Sequence, residues 1–214
     1  MSDPGKHAPR GAPAVSFPGE ELILVDGHDR VIGHASKLAA HRGQGQRHRA
    51  FSVFLFDDQQ RLLIHRRSVH KPLWHGFWTN SCCSHPRRGE VLEDSVRRRL
   101  REELSCEVAS LERVCAFEYQ AAFGDAGSEH EFCHIYLAGL APGSKVQGHE
   151  LEIAELDWLS PPGVDAIMAE ERNDLTPWFR QEWTLLRGKH AMQLEKFLLT
   201  LVGAGGGSDL PHCA

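Results

Sequence analysis

The sequence predicts an α+β sandwich in which helices flank a mixed sheet. Three observations favour this fold class. The chain has 214 residues, of which 41% are hydrophobic, so one domain with a sizeable core is expected. Two pairs of strand-like segments, within 51–67 and 111–140, are each joined by a short polar turn. Helical segments lie before and after the second pair, and no shift in composition marks a second domain.

Short strands dominate the first half of the chain. Apolar runs between turn residues identify them, and Pro72 ends the last one. In order, the sequence predicts a strand at 22–26, a turn at 27–30, a short helix at 35–41 that carries Lys37, a polar loop at 42–46, and two strands at 51–56 and 61–67.

The second half contains most of the predicted helices. In the first of them, Leu100 and Leu104 lie one turn apart opposite a face dense in arginine. In order, the sequence predicts a helix at 93–104, strands at 111–123 and 129–140 around a turn at 124–127, a short strand at 155–159 that Pro161-Pro162-Gly163 breaks, and helices at 164–171, 177–188 and 191–202.

The two ends differ in composition from the middle. We expect residues 1–20 to be a disordered leader, residues 21–202 to form a single domain, and residues 203–214 to be a flexible tail. The leader has no apolar centre, which argues against a secretory signal, and no apolar run approaches the ~20 residues that span a bilayer. We therefore expect a cytoplasmic protein with reduced cysteines and no membrane contact.

The charge balance excludes one large class of partner. With 24 basic and 29 acidic residues the formal net charge is −5, so nucleic acid is not an expected partner. A small-molecule partner and a monomer or weak homodimer are expected. The chain has 14 histidines, so a single histidine carries little weight without suitable spacing and neighbours.

The segment Trp74–Pro86 places a thiol and an imidazole two residues apart. Pro86 favours an extended conformation at His85, and residues i and i+2 of an extended segment point to the same side. Cys83 and His85 should therefore enter one cavity, whereas Cys82 should point away.

A second segment repeats this spacing with carboxylates, because Glu129 and Glu131 would share one face of a strand. Together the two segments supply a thiol, an imidazole and two carboxylates. These groups are sufficient for a metal site with an acid/base pair beside it.

The run Arg98-Arg99-Leu100-Arg101-Glu102-Glu103-Leu104-Ser105 resembles the Nudix box, a helix whose carboxylates hold Mg²⁺ on a diphosphate. Two positions depart from the pattern. Arg99 replaces the first glutamate and Ser105 replaces the glycine, so the resemblance does not imply ordinary Nudix hydrolysis.

Further strings resemble one branch, the type I isopentenyl-diphosphate isomerases. They are His48-Arg-Ala-Phe-Ser-Val-Phe-Leu-Phe56, Trp78-Thr-Asn-Ser-Cys-Cys-Ser-His-Pro86 and Glu129-His-Glu131, and the similarity extends over residues 22–188. The resemblance implies a Nudix-like α/β/α sandwich with a mixed sheet. It also implies conversion of isopentenyl diphosphate to dimethylallyl diphosphate by protonation and deprotonation.

The resemblance implies Cys83 and Glu131 as the catalytic pair, with Cys83 beside the abstracted proton and Glu131 beside the added one. Tyr119 is a candidate to assist Glu131, although a tyrosine with only a structural role in the strand is an almost equally good interpretation. Trp183 is the candidate whose π-face stabilises a carbocation, with Trp74 and Trp78 completing the wall, and Trp178 is the expected core tryptophan.

The resemblance also implies two ion sites and a diphosphate site. One Mn²⁺, Mg²⁺ or Zn²⁺ would be held by His41, His48, His85, Glu129 and Glu131. The diphosphate would be bound by Lys37, Arg67, Lys71 and Arg99, and bridged by a Mg²⁺ on Glu103.

The spacing of His41 and His48 restricts the local structure. In a continuous helix these residues would lie ~10 Å apart and could not share an ion. Gly43 and Gly45 can break the helix between them and let both converge.

Two other functions remain open from the residues alone. One is a Nudix hydrolase acting on a diphosphate, against which the degraded box and the Trp78–Pro86 string argue. The other is a non-catalytic metal-binding or redox module built on Cys82 and Cys83. Turnover of isopentenyl diphosphate discriminates between the three.

Overall fold

The computed structural model describes residue 17, residues 19–170 and residues 172–202. The predicted tail at 203–214, most of the predicted leader at 1–20, and Glu171 at the end of one predicted helix lie outside the described residues. None of the described helices combines the length and apolar character that crossing a bilayer requires.

The described residues form nine strands and five helices. In chain order these are β1 Glu21–Val25, β2 Val31–Ser36, α1 Lys37–Ala40, β3 His48–Phe56, β4 Leu62–Arg67, β5 Trp78–Thr79, β6 Cys82–Ser84, α2 Leu92–Leu104, β7 Val108–Ala122, β8 Ser128–Leu140, β9 Ile153–Leu159, α3 Pro161–Ala169, α4 Pro177–Arg187 and α5 Ala191–Val202.

β3 lies at the centre of one mixed sheet. It pairs in parallel with β8 and antiparallel with β1, β4 and β6. The outer pairs β1–β2, β7–β8, β4–β5 and β4–β9 are antiparallel. This combination confirms the mixed sheet predicted from the sequence.

The two faces of β3 belong to two different hydrophobic cores. Phe51, Val53 and Leu55 pack with the apolar side of α2, whereas Phe54 and Phe56 pack with α4 and α5. Alternate residues of a strand point to opposite faces, so a nearly all-apolar strand is what a sheet covered on both sides requires. The result is the α/β/α sandwich.

Several predicted boundaries are corrected by the structure. The strand β2 was not predicted, and it takes up Ala35 and Ser36, which were assigned to the short helix. That helix is confined to α1, where the Ser36 hydroxyl accepts a hydrogen bond from the Ala39 amide.

The proline-rich segment after β9 is also different from the prediction. β9 does end at Leu159, as predicted, but the prolines also form the first turn of α3, which was expected to begin only at residue 164. Ser160 caps this turn by accepting a hydrogen bond from Gly163 N. Proline is compatible with this position because the first amides of a helix have no intrahelical partner.

Candidate active site

The register of the strands brings several polar and ionisable side chains together. In the parallel pair β3–β8, His48 lies opposite Glu131, and in the antiparallel pair β7–β8, Tyr119 lies opposite the same residue. In the antiparallel pair β3–β6, Ser52 lies opposite Cys83. Residues far apart in sequence therefore meet because the sheet pairs their backbones.

His41 is positioned by the loop that follows α1. The helix ends at Ala40, and both Gly43 and Gly45 have positive φ, so the chain turns back towards β3. The His41 carbonyl accepts a hydrogen bond from Ser128 N at the start of β8. A Cβ at Gly127 would lie 2.4 Å from that carbonyl oxygen, so the approach requires glycine there.

Five side chains converge on one point: His41, His48, His85, Glu129 and Glu131, with ligand atoms all within 4.8 Å of one another. Nε2 of His48 lies 3.1 Å from Nε2 of His85, which lies 3.1 Å from Oε1 of Glu131. Nε2 of His41 lies 2.8 Å from Oε2 of Glu129.

The hydrogen bonds of two of the histidines are those expected of metal ligands. Nδ1 of His41 lies 2.7 Å from the Lys37 carbonyl, and Nδ1 of His48 lies 2.7 Å from the Gln46 carbonyl. These bonds place a hydrogen on Nδ1 of each ring, so both Nε2 atoms are directed into the cluster, where a neutral ring offers a lone pair.

Lone pairs that face one another inside a protein are stabilised by a cation between them. Oε2 of Glu129 is buried, and it has no hydrogen-bond donor among the described residues when the His41 ring is neutral with its hydrogen on Nδ1. Nitrogen and carboxylate ligands with second-sphere carbonyl bonds are the usual surroundings of a divalent ion. The donor set therefore fits a metal ion.

Burial keeps His85 in the form that binds metals. It lowers the pKa of His85 well below its usual value, and the nearby ammonium group of Lys37 acts in the same direction. The imidazole is therefore neutral at ordinary pH, with a lone pair available.

The cluster of three histidines and two glutamates opens into a cavity of about 390 Å³. Its wall includes Cys83 and His85 beside Glu129, Glu131 and Tyr119. Cys82 instead lies in the core on the α2 side of the sheet, with no exposed surface. The alternation expected for this segment places the two cysteines on opposite faces.

Polar side chains surround the sulfur of Cys83. The thiol donates to Oδ1 of Asn80 over 3.0 Å, and the Ser52 hydroxyl lies 3.3 Å from Sγ. Burial raises the pKa of Cys83 well above its usual value. The thiol form is therefore the resting state.

Glu131 belongs to the cluster of three histidines and two glutamates and is also hydrogen-bonded to a phenol. The Tyr119 hydroxyl donates to Oε2 over 2.7 Å. Burial alone would raise the pKa of Glu131, but the neighbouring His48 and the hydrogen bond from Tyr119 outweigh burial and lower it. The phenol has the opposite shift, because burial and the charge of Glu131 raise the pKa of Tyr119 well above its usual value.

The cavity wall also carries cations. Lys37, Arg67 and Lys71 line it together with Glu152, a carboxylate not singled out from the sequence. Nζ of Lys71 lies 2.5 Å from Oε2 of Glu152. Burial alone would raise the pKa of Glu152, but Lys71 and then Arg99 outweigh it and hold it at about 2. Burial, with repulsion from Lys71, lowers the pKa of Lys37 to about 8.

Two predicted site residues on α2 are not part of the cavity wall. Arg99 forms a buried ion pair with Glu103, and it lies 3.9 Å from Oε1 of Glu152. The structure therefore places Arg99 beside Glu152, which lines the cationic side of the cavity, and pairs Glu103 with Arg99.

The two tryptophans of α4 have different surroundings, and the role expected for Trp183 stays a prediction. Trp178 lines the cavity, whereas Trp183 stacks on Phe54 in the core and donates its indole hydrogen to Asp165. Five positions along a helix correspond to about 140° of rotation, so both rings cannot face one cavity. Trp74 packs edge-on against Trp178, and neither Trp74 nor Trp78 belongs to the cavity wall.

Comparison with protein families identifies a NUDIX domain over residues 46–179. The isopentenyl-diphosphate Delta-isomerase of Burkholderia multivorans is 44% identical over 162 residues, which cover 75% of this chain and 89% of that protein. The isopentenyl-diphosphate Delta-isomerase of Serratia proteamaculans is 42% identical over 178 residues, which cover 83% of this chain and 96% of that protein.

Solved structures agree on the fold. DR0079 from Deinococcus radiodurans matches with a TM-score of 0.59 at 24% identity, covering 83% of this chain and 98% of that protein. A MutT protein from Methanosarcina mazei matches with a TM-score of 0.52 at 15% identity, covering 67% of this chain and 95% of that protein.

Proposed function

Because this chain belongs to the NUDIX superfamily and, within it, to the isopentenyl-diphosphate Delta-isomerases, we propose that it interconverts isopentenyl diphosphate and dimethylallyl diphosphate. The reaction moves a carbon–carbon double bond by one position. It requires one proton to be added to a carbon and another to be removed from a different carbon.

The observation that carries the proposal is the position of two proton-transfer groups on one cavity. Cys83 and Glu131 both belong to its wall, on different strands, and Tyr119 is hydrogen-bonded to Glu131. A substrate between a thiol and a carboxyl group can exchange protons with both without leaving the cavity.

In the direction of dimethylallyl diphosphate, the Glu131 carboxyl group, assisted by the Tyr119 hydroxyl, adds a proton to the terminal carbon. The Cys83 sulfur takes a proton from the carbon that becomes part of the new double bond. In the reverse direction the two groups exchange roles. The raised pKa of Cys83 keeps the sulfur as a thiol, which can donate a proton in the reverse reaction. In the forward reaction the sulfur must act as a base, and the same raised pKa means that its negatively charged form is costly.

The cationic side of the cavity suits a diphosphate. Arg67 offers a planar guanidinium, and Lys37 and Lys71 offer ammonium groups on the same wall. Lys71 already has a partner in Glu152, so a bound diphosphate competes with this carboxylate for the ammonium group. Arg99 would act through its charge on Glu152.

We assign the cluster of three histidines and two glutamates to one Mn²⁺, Mg²⁺ or Zn²⁺ ion. When bound, the ion would fix the orientation of Glu131 and reduce the proton affinity of its carboxylate. We further propose that Glu103 would hold a Mg²⁺ ion that accompanies the diphosphate and would supply positive charge there. Glu103 is paired with Arg99, so we derive no step through this second ion.

Protonation of an unactivated alkene puts positive charge on a tertiary carbon. We propose that the face of Trp178 stabilises this charge, because the ring lines the cavity near Tyr119 and its indole hydrogen is bonded to Oγ1 of Thr79. Such contacts are worth ~2 kcal/mol or more when water is excluded. We further propose a cytoplasmic location, with which the five free cysteines among the described residues agree.

The direct test is incubation of the metal-loaded protein with isopentenyl diphosphate, followed by analysis of the prenyl products and of released phosphate. We expect an equilibrium mixture with dimethylallyl diphosphate and no phosphate release. Release of phosphate from isopentenyl diphosphate or a nucleoside diphosphate, without isomerisation, would instead support a Nudix hydrolase.

A further inference from the structure

A second buried acid lies next to the catalytic thiol. Glu182 of α4 has no exposed surface, and its Oε2 lies 2.7 Å from the Ser52 hydroxyl. Its Oε1 lies 3.6 Å from the Cys133 sulfur. Glu182 is four residues after Trp178, so a helix places both on about the same face, towards the sheet.

The Ser52 hydroxyl connects Glu182 with Cys83. Its oxygen accepts a hydrogen bond from Nδ2 of Asn80 over 2.8 Å, lies 2.7 Å from Glu182 and lies 3.3 Å from Cys83 Sγ. A serine hydroxyl has one hydrogen to donate. Since Asn80 Nδ2 can only donate, the hydrogen of Ser52 is directed either to Glu182 or to Cys83.

The protonation state of Glu182 determines which of these two acceptors receives the Ser52 hydrogen. An ionised carboxylate only accepts, so it takes the hydrogen of Ser52 and leaves the sulfur without this donor. A neutral carboxylic acid can itself donate to the Ser52 oxygen, and the Ser52 hydrogen then becomes available to the sulfur.

The surroundings of Glu182 favour the neutral form. The titratable groups that act on it are Cys83 of β6, Cys115 of β7, and Glu131 and Cys133 of β8, and each is either neutral or anionic. Burial, partly offset by the bond to Ser52, raises the pKa of Glu182 to about 8. The carboxyl group is therefore largely neutral at pH 7 and ionises as the pH rises through about 8.

We propose that Glu182 is a positioning residue of the isomerase, whose neutral carboxyl group directs the Ser52 hydroxyl to donate a hydrogen bond to the Cys83 sulfur. This inference rests on the proposed function. The bond matters when the sulfur carries negative charge, since burial opposes that charge and a hydrogen bond to it offsets part of the cost.

The test compares kcat and KM for isopentenyl diphosphate between pH 6 and pH 9.5 in the wild type and four variants. Glu182→Gln keeps the shape and a permanent donor to Ser52. Glu182→Leu and Ser52→Ala remove the connection. Glu195→Gln on α5, whose side chain is exposed, is the matched control for removal of a carboxylate.

We expect kcat of the wild type and of the control to fall as the pH rises through about 8, and this fall to be absent in Glu182→Gln. A hydrogen bond to a charged group typically contributes enough that Glu182→Leu and Ser52→Ala should lower kcat by about 10- to 100-fold with little change in KM. If Glu182→Leu does not fold, the dependence of kcat on pH in Glu182→Gln still tests the inference.

Two results would overturn the inference: an alkaline fall in Glu182→Gln identical to that of the wild type, or a folded Glu182→Leu with wild-type kcat. A merely structural role would lower the thermal unfolding midpoint without altering the pH profile. Wild-type protein that does not isomerise the substrate would instead refute the proposed function, so the two failures are distinguishable.

Discussion

At the scale of single residues, adjacent side chains in this protein have different surroundings. Cys82 is enclosed by apolar residues on the α2 side of the sheet, whereas Cys83 faces the polar cavity. The extended backbone of β6 produces this difference, because consecutive side chains of a strand point in opposite directions. The spacing to His85 was sufficient to anticipate it from the sequence.

We expect Cys83→Ala to abolish turnover and Cys82→Ala to retain most of it. The first change removes a proton-transfer group, and the second removes one buried sulfur from a core at a cost of about 1 kcal/mol in folding stability. Steady-state kinetics with isopentenyl diphosphate, together with thermal unfolding, would measure both effects. Equal loss of activity in two folded variants would contradict the assignment of Cys83.

The tryptophans of α4 allow a similar comparison. We expect Trp178→Ala to lower kcat by about 30-fold, the equivalent of ~2 kcal/mol of cation–π stabilisation, and Trp178→Phe to retain partial activity because a π-face remains. Trp183→Phe should lower the unfolding midpoint and leave kcat almost unchanged. A larger kcat defect in Trp183→Phe than in Trp178→Phe would restore the role first predicted for Trp183.

At the scale of elements, the register of β3 against β8 and β7 against β8 determines the site. His48, Tyr119 and Glu131 are brought together by backbone pairing, and the loop after α1 brings His41 to the same place. This loop is held by a close approach of Gly127 to the His41 carbonyl, where φ of Gly127 is 144°.

Gly127→Ala should therefore disturb the metal cluster without changing a ligand. Its Cβ would lie 2.4 Å from the His41 oxygen, so the loop must shift, and we expect a destabilisation of about 3 kcal/mol or more with reduced metal content. Gly33→Ala in β2 is the control, because the nearest atom to its Cβ would be 3.8 Å away. Full metal content and normal stability in Gly127→Ala would show that the loop adapts.

At the scale of the whole molecule, the fold places buried charges where a cation would compensate them. Two carboxylates and three histidines from β3, β8, the end of α1 and the segment after β6 meet in one cluster. A ligand that binds only the folded state stabilises it, by about 2.7 kcal/mol at 100 times its dissociation constant. The ion should thus connect four separate parts of the chain.

We expect saturation with Mn²⁺ or Zn²⁺ to raise the thermal unfolding midpoint of the chelator-treated protein by several degrees, about 2–4 °C for each kcal/mol gained. His85→Ala should show a much smaller shift, whereas a change at an exposed histidine such as His28 should leave the shift unaltered. A shift of equal size in His85→Ala would mean that the ion binds elsewhere.

The sequence was sufficient to predict the α+β class and the central hairpins, because hydrophobic periodicity and turn residues are local signals. It did not predict β2, whose residues alternate weakly and include Gly33. The roles of Glu152 and Glu182 were not anticipated, since both depend on partners more than 50 residues away, such as Lys71 and Ser52. The helix gives the angle between Trp178 and Trp183, but the sequence does not tell which side of α4 faces the cavity. The orientation of Trp178 could therefore not be predicted.

The most direct test of the central claim, that two separate groups add and remove different protons in one cavity, is the reaction of isopentenyl diphosphate in D₂O followed by mass spectrometry of the dimethylallyl diphosphate formed. We predict that the product carries deuterium at the newly formed methyl group, because the acid that protonates the alkene exchanges its proton with solvent between turnovers. Dimethylallyl diphosphate without deuterium would contradict this account, since it would indicate that a single group returns the proton it removed.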